Sequence, residues 1–485
     1  MESKIHQKSI KKNAILNFIK TFMGIVFPLI SFPYASRILG TVGIGKVNYI
    51  VSIVNYFVIF STLGIPTYAI REGARIRDNK EKLGKFCTEI FIINIISTCI
   101  CLLIFLGVFF IPRFHSYKIL LIIAGINIPL NTLGMSWLYQ IIEDYKRITI
   151  QTILLQLISL CLLFILVKKP EDYNQYMFVY IFATVGSNVL FFIHSRKIVK
   201  LFGYKNYEIK AHLKPILIIF GVTVASTLYL NMDITMLGMM RGDQAVGIYS
   251  ASTKLINIIC NMISSISAVI LARLSYYKAK GEKDKFDNLI KWTAHSISAF
   301  SIPCMFGAFL LSDELLLLLS GSDFIAGNIS MKILCIKIVL SPINGFLAYQ
   351  ILIPMKKENV TFWATLSGCI ANLFLNWILI RCMSYDGAAI ATVMSEMIVG
   401  IICIIKSKND VDYKKIFKGV YQYIIASIIF VVVAYLYIGF IHNIILRIVI
   451  TVLVSSLIYS IVLLAVRNEM IIKMKNEIYL KIKRR

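Results

Sequence analysis

The sequence predicts an all-α polytopic membrane protein of about 14 transmembrane helices. Three observations predict it. The chain is 58% hydrophobic and only 16% charged, where soluble domains run about 45–50% apolar and about 25% charged. The apolar residues form long unbroken runs, such as Ile90–Ile111 and Ile424–Phe440. The cations, 51 Lys and Arg against 25 Asp and Glu, cluster between such runs. A soluble multidomain enzyme is thereby excluded. On a soluble chain a net charge of +26 would suggest a nucleic-acid surface; here the placement of the charge matters more than its sum.

A helix needs roughly 20 apolar residues to cross a hydrocarbon core about 30 Å thick. Runs of that size fall at about 13–36, 47–70, 86–111, 118–140, 149–167, 176–195 and 213–239. Seven more fall at about 247–272, 289–312, 330–354, 361–381, 386–405, 419–440 and 444–466. The connectors are too short for a soluble domain. A β-barrel would show segments of about ten residues with period-two alternation, which these continuous runs lack. The twelfth span carries the weakest signal, because Asp386 and Glu396 dilute it.

Cationic loops face the cytoplasm. With the N-terminus inside, the inner segments include Arg71–Lys85, Arg196–Lys214, Arg273–Lys291, Lys406–Lys418 and the tail from Arg467. They hold 38 of the 51 cations, the outer loops nine and the spans four. An even span count and two cytoplasmic termini follow. The first span, behind a basic Met1–Lys12, is too long for a signal-peptide core and lacks a small-residue cleavage site, so it is expected to stay uncleaved. In the tail, Ile471, Met474, Ile478 and Ile482 recur at helical spacing among cations, predicting an interfacial helix on the anionic inner leaflet.

No catalytic signature is present. G-x-S-x-G, H-E-x-x-H and Walker A motifs are missing, and Gly40, Gly43 and Gly45 lack phosphate-loop spacing. The ten cysteines lie in or beside apolar runs and include no C-x-x-C, so they read as small core fillers. No metal or other cofactor is expected, and the chain is expected not to be an enzyme.

Two segments echo one another. Leu39-Gly40, Val42-Gly43 and Tyr49 follow span one; Leu237-Gly238, Val246-Gly247 and Tyr249 follow span seven. An offset of six spans preserves orientation, so the halves read as parallel repeats. The expected lobes are 1–200 and 201–410, with 411–485 adding two helices and the basic tail.

A polar side chain in a span should face protein or water. Span eight carries Ser250, Thr253, Lys254, Asn257, Asn261, Ser264 and Ser265 at three-to-four-residue spacing. Span eleven carries Thr361, Thr365, Gly368, Asn372 and Asn376, and span two a thinner stripe of Ser52, Asn55 and Thr62. Short Ser/Asn sets commonly glue helices together, whereas a long stripe containing a lysine favours a hydrated cavity. Lys20 either snorkels or lines that cavity. Asp233 and Glu396 are candidate carboxylates for a coupling ion, with pairing of Asp233 to Lys254 as the bland alternative. Lys337 raises the same question, and Glu89 is expected to be solvated. Pro28 and Pro33 predict a kinked first helix.

The matching stretches are Arg37–Gly45, Gly64-Ile65-Pro66 to Arg71-Glu72, and Trp137-Leu138-Tyr139-Gln140 with Glu143. To these are added Asp233 to Tyr249, and Gly387-Ala388-Ala389 to Glu396. Ile141 stands where the family's W-x-x-Q-G-x-E stretch usually has glycine. In this order the stretches resemble the polysaccharide and oligosaccharide-lipid flippases of the multidrug/oligosaccharidyl-lipid/polysaccharide (MOP) exporter superfamily. The resemblance implies two six-helix lobes around a V-shaped central cavity, plus two further helices. It implies a polyprenyl-diphosphate-linked oligosaccharide as substrate, flipped across the cytoplasmic membrane, in a bacterial cell, for O-antigen, capsule or teichoic-type polymers. Glycosyltransferases and a polymerase of the same pathway are the implied partners, and Na⁺ or H⁺ coupling is left open. Lys20, Arg37 and Lys254 would meet the diphosphate, and Asn257, Asn261, Asn372 and Asn376 the sugars. A drug/cation antiporter of the same superfamily is the alternative, and a membrane glycosyltransferase or polymerase a more distant one. Spans one to six hold no mid-membrane carboxylate, which counts against the antiporter.

Overall fold

The computed structural model describes residues 10–468, 470 and 472, and among them every regular element is helical. Lys4, Lys8 and the expected tail helix through Met474, Ile478 and Ile482 lie outside the described residues. The chain folds as two compact units, Met1–Gly247 and Ile248–Arg485.

The first unit opens with α1 (Ile10–Thr62), α2 (Ile65–Ile76) and α3 (Lys80–Val108). A straight α1 of 53 residues would be about 80 Å long at 1.5 Å per residue, more than two membrane cores. It is instead two helices merged across a kink at Gly40, whose φ of 63° suits a residue without Cβ. The second half stops at Leu63 and Gly64, both at positive φ, and Pro66 lies in the first turn of α2. The expected span 47–70 is therefore shorter than its apolar run. Its last residues belong to an amphipathic helix that buries Ile65, Tyr68, Ala69 and Gly73 and exposes Arg71 and Arg75. Such a helix is suited to lie along the interface.

A 3₁₀ turn (Pro112–Tyr117) leads into α4 (Lys118–Gly125), α5 (Asn127–Leu133) and α6 (Ser136–Ile141). Then come α7 (Tyr145–Leu166), α8 (Tyr173–Ser195), α9 (Ile209–Arg241) and α10 (Asp243–Ala279), which crosses the boundary between units. Trp137, Leu138 and Ile141 pack with Tyr68, Phe86 and Ile90 in the core of this unit.

The second unit continues with α11 (Lys283–Leu310), α12 (Ser312–Leu319), a 3₁₀ turn (Ser322–Gly327), α13 (Asn328–Leu334) and α14 (Lys337–Phe346). A π-helical segment (Leu347–Leu352) precedes α15 (Glu358–Ser407), α16 (Tyr413–Ile416), α17 (Tyr421–Tyr437) and α18 (Ile444–Ala465). α15, at 50 residues, is again two helices, merged across Ser384 at φ 52°. The fourth and tenth expected spans are broken alike: each follows a 3₁₀ turn and runs as short helices. α17 and α18 pack on α11 through Tyr423, Ala426, Ala299, Ile302 and Leu463.

Ten helices among the described residues are long and apolar enough to cross a membrane, and up to twelve if two bent pairs are each one span. α3 exposes Ile96, Ile100, Leu103 and Ile104, and α18 exposes Leu446, Leu453 and Leu457, as lipid-facing surfaces require. All ten cysteines are free thiols.

Candidate functional site

The second unit holds two of its charged residues, Lys337 and Glu396, in a polar column. On α14, Lys337 and Asn344 are seven residues apart and so share a helix face. Lys337, 9% exposed, donates from Nζ to Asn257 Oδ1 of α10 at 3.0 Å. Glu396 of α15, 5% exposed, accepts at Oε2 from Asn344 Nδ2 at 2.6 Å. The same amide donates to the Glu396 backbone carbonyl at 2.9 Å. Cys260, nearly one turn past Asn257, donates from Sγ to the Lys337 carbonyl at 3.7 Å and lies within electrostatic reach of both charges. A buried cation on α14 and a buried carboxylate on α15 are thus each met by a neutral side-chain amide. Isolated charges at such depth would be costly; amide partners lower that cost without neutralising either group.

Other expected residues lie on the same helices. Tyr249 of α10 shares a hydrogen bond with Thr392 of α15 at 2.9 Å. Asn372 and Asn376 are both fully buried on α15, and Asn376 Nδ2 donates to Asn372 Oδ1 at 3.0 Å. The stripe on α10 runs from buried Ser250 through half-buried Lys254 to exposed Asn257 and Asn261. Asn257 therefore links buried Lys337 to an open face of α10. Among the described residues, Asn257 meets Lys337, Asn372 meets Asn376 and Glu396 meets Asn344.

The first unit uses its polar residues differently. Ser52 and Tyr56 of α1 both bond the Thr235 hydroxyl of α9 at 3.0 Å, and Asn55 Nδ2 donates to Asn231 Oδ1 at 3.3 Å. Thr62 donates back to the Val58 carbonyl. The thin stripe of span two is therefore a helix–helix fastening rather than a cavity lining. Asp233 is buried on α9, between Asn231 and Thr235 in sequence. Lys20 is partly exposed on α1, and Arg37 is exposed with Nη1 donating to the Pro33 carbonyl at 3.0 Å.

Glu89 departs from expectation. It is 4% exposed rather than solvated, because α3 points it at α9. It accepts from the Glu208 backbone N–H at 2.7 Å and pairs with His212 Nε2 at 2.9 Å, with Lys85 Nζ at 3.8 Å. His212 Nδ1 in turn bonds the Tyr68 hydroxyl of α2 at 2.7 Å. Nearby, Arg77 and Glu143 pair at 2.5 Å, and that hydrogen bond raises the Arg77 pKa above its ordinary value. Sequence reasoning missed Asn344, although its seven-residue offset from Lys337 was a usable signal. It missed His212 as well, and no local pattern links residues 123 positions apart.

The echoed segments meet each other. A Cβ on Gly45 would overlap the Asp243 carbonyl oxygen, and one on Gly247 would overlap that of Thr41. The same offset of 202 residues relates both pairs, so the contact is reciprocal. Only glycine permits backbones to cross this closely. Arg113 fastens the same corner by donating to the Gly238 carbonyl at 2.9 Å, at the end of α9, where a cation also suits the helix dipole.

The sequence pattern of the polysaccharide biosynthesis protein family matches residues 10–278, more than half of the chain. The chain belongs to this family. The pattern of the MatE family also matches, over residues 218–378. It is 24% identical over 394 residues to a candidate O-antigen transporter of Shigella dysenteriae, covering 80% of this chain and 98% of the relative. It is 24% identical over 195 residues to the probable low-salt glycan biosynthesis flippase of Haloferax volcanii, covering 40% of this chain and 39% of that one. Among solved structures, the inward closed conformation of the lipid II flippase MurJ matches with a TM-score of 0.75 at 17% identity. That match covers 94% of this chain and 100% of MurJ. An inward-facing MATE multidrug resistance transporter matches with a TM-score of 0.61 at 14% identity, over 82% of this chain and 97% of its own. At these identities the structural likeness speaks for the fold alone.

Proposed function

We propose that this chain is a transporter that flips a polyprenyl-diphosphate-linked oligosaccharide across the cell membrane by alternating access, supplying surface polysaccharide synthesis. The observation that carries the proposal is the polar column of the second unit in a member of the polysaccharide biosynthesis family. Lys337, Asn344 and Glu396 place a fixed cation, an amide and a fixed carboxylate inside an otherwise apolar helical body, and Asn257 meets the cation from α10. Charged groups inside apolar helices are costly, which favours a role in passing or binding a polar substrate there. The names of the Shigella and Haloferax relatives support the same substrate class.

In this proposal the chain crosses the membrane 14 times with both termini in the cytoplasm, as its cation distribution favours. α1 and α15 each contribute two crossings. Lys20, Arg37 and Lys254 meet the diphosphate, and Asn257, Asn261, Asn372 and Asn376 meet sugar hydroxyls. Asp233 and Glu396 take a coupling Na⁺ or H⁺. The chain moves its substrate without making or breaking a covalent bond. Glycosyltransferases build the substrate before it, and a polymerase consumes it after.

The test is export in cells. Lys254→Met combined with Asn257→Leu should abolish surface display of the cognate glycan while the protein accumulates at wild-type level in the membrane. Normal display in that variant would contradict the site. A glycan-linked lipid that changes length rather than leaflet would replace transport by polymerisation.

A further inference from the structure

We propose that the second unit carries a binding site for the headgroup of an anionic phospholipid, separate from the substrate column. The site is a cavity of about 490 Å³ where α10 ends and α11 begins. Arg273, Lys285 and Lys291 line it, and no carboxylate is among its described lining residues. Tyr277 and Trp292 form aromatic walls, and Met470 closes one side.

Three features select the ligand class. The lining carries three formal positive charges, which suits a phosphate-bearing group. Lys285 is paired to Glu282 at 3.0 Å outside the cavity lining and stands 5.9 Å from the Tyr277 ring centroid, so it is held close to the wall. Trp292, 45% exposed, is of the residue type that settles at the membrane–water interface, with its ring among acyl chains and its N–H toward headgroups. Arg273, near the end of α10, and Lys291, in the first turns of α11, bound the segment whose basic composition assigns it to the cytoplasmic side, where anionic lipids collect.

A second cavity supplies the apolar half of a lipid. It has a volume of about 530 Å³ and runs between α11 and α18, past Pro303, Gly307, Val452 and Tyr459. Met470 lines both cavities. Its position is fixed, because its backbone N–H donates to Asn468 Oδ1 at 3.1 Å and its sulfur lies 3.7 Å from the Tyr423 hydroxyl. Tyr423 is itself bonded to His295, another residue of the basic cavity. One phospholipid with its phosphate among the cations and an acyl chain along α11 fits this pair. A free phosphate would use only the first cavity.

The experiment uses the full-length protein in detergent, with native mass spectrometry and thermal unfolding as readouts. The added probes are phosphatidylglycerol, phosphatidylcholine and inorganic phosphate. Phosphatidylglycerol should be retained and should raise Tm, and the other two should not. Arg273→Gln with Lys291→Gln should weaken phosphatidylglycerol binding about thirtyfold, given the usual contribution of two cations near a charged headgroup. Lys205→Gln with Lys210→Gln removes the same charge from exposed positions of the first unit and should leave binding intact. Equal stabilisation by inorganic phosphate would overturn the lipid assignment. Equal retention of phosphatidylcholine, undiminished binding in the first variant, or equal loss in the second would overturn the site.

Discussion

Glu89 in the first unit and Glu396 in the second are both almost fully buried, yet they are held in opposite ways. Glu89 is gripped by a backbone N–H, an imidazole and a nearby ammonium, and the imidazole passes the link on to Tyr68. Both its oxygens are engaged, and helices α2, α3 and α9 depend on it. Among the described residues, Glu396 has a single neutral amide on one oxygen, while buried Lys337 is spent on Asn257. The lesson is that burial alone does not mark a functional carboxylate. A carboxylate saturated by fold contacts stabilises; one met sparingly keeps capacity to exchange partners. The units follow the same division, since the first bonds its Ser and Asn residues across α1 and α9 and the second arranges them around charges.

The largest effect should come from breaking the saturated site. Glu89→Leu orphans the Glu208 N–H and His212, and should cost about 3–5 kcal/mol of stability, read by thermal or denaturant unfolding. Retained stability would remove the distinction between the two carboxylates. Glu396→Gln should instead change stability by only about 1 kcal/mol, because an amide can still bond Asn344, while transport falls at least about tenfold. A fully active Glu396→Gln would take the charge out of the account.

A smaller effect sharpens the contrast within the first unit. Ser52→Ala removes one fastening to Thr235 and should cost about 1 kcal/mol with transport kept near wild type. The smallest concerns Asp172, in the turn between α7 and α8. Its carboxylate accepts the N–H groups of Lys168 and Lys169 at 2.8 Å each, which lowers its pKa below the ordinary carboxylate value. The stabilisation is present above about pH 4 and lost as the pH falls through the lowered value. The Tm difference between wild type and Asp172→Asn should therefore shrink on acidification, as scanning calorimetry from pH 7 to pH 3 would show.

Much of the fold was legible because apolar run length decides membrane crossing. Each expected run lies largely in helix, and the Gly64-Ile65-Pro66 turn sits where α1 yields to α2. The break at Ser384 falls between the eleventh and twelfth expected spans, 361–381 and 386–405, so its place was legible although serine carries no signal for positive φ; the segmentation of the fourth and tenth spans inside apolar sequence was not. Individual polar residues were easier to find than their partners. Asn257, Glu396 and Lys337 stood out as exceptions in apolar helices, but which helix each would meet is a tertiary fact. Ser52 and Asn55 looked like the thin edge of a hydrated face and proved to be hydrogen-bonded to α9. Glu89 looked solvated because local sequence places it near a basic loop, whereas α9 brings His212 over it from 123 residues away.

The most direct test reconstitutes the protein in liposomes containing a fluorescent polyprenyl-diphosphate oligosaccharide and follows its appearance in the opposite leaflet by accessibility to an added quencher. Wild type and Ser52→Ala should equilibrate the lipid between leaflets, while Glu396→Gln and Asn257→Leu should leave it where it was loaded. Equal movement in all four proteins, or none in wild type, would contradict the assignment of the polar column to transport.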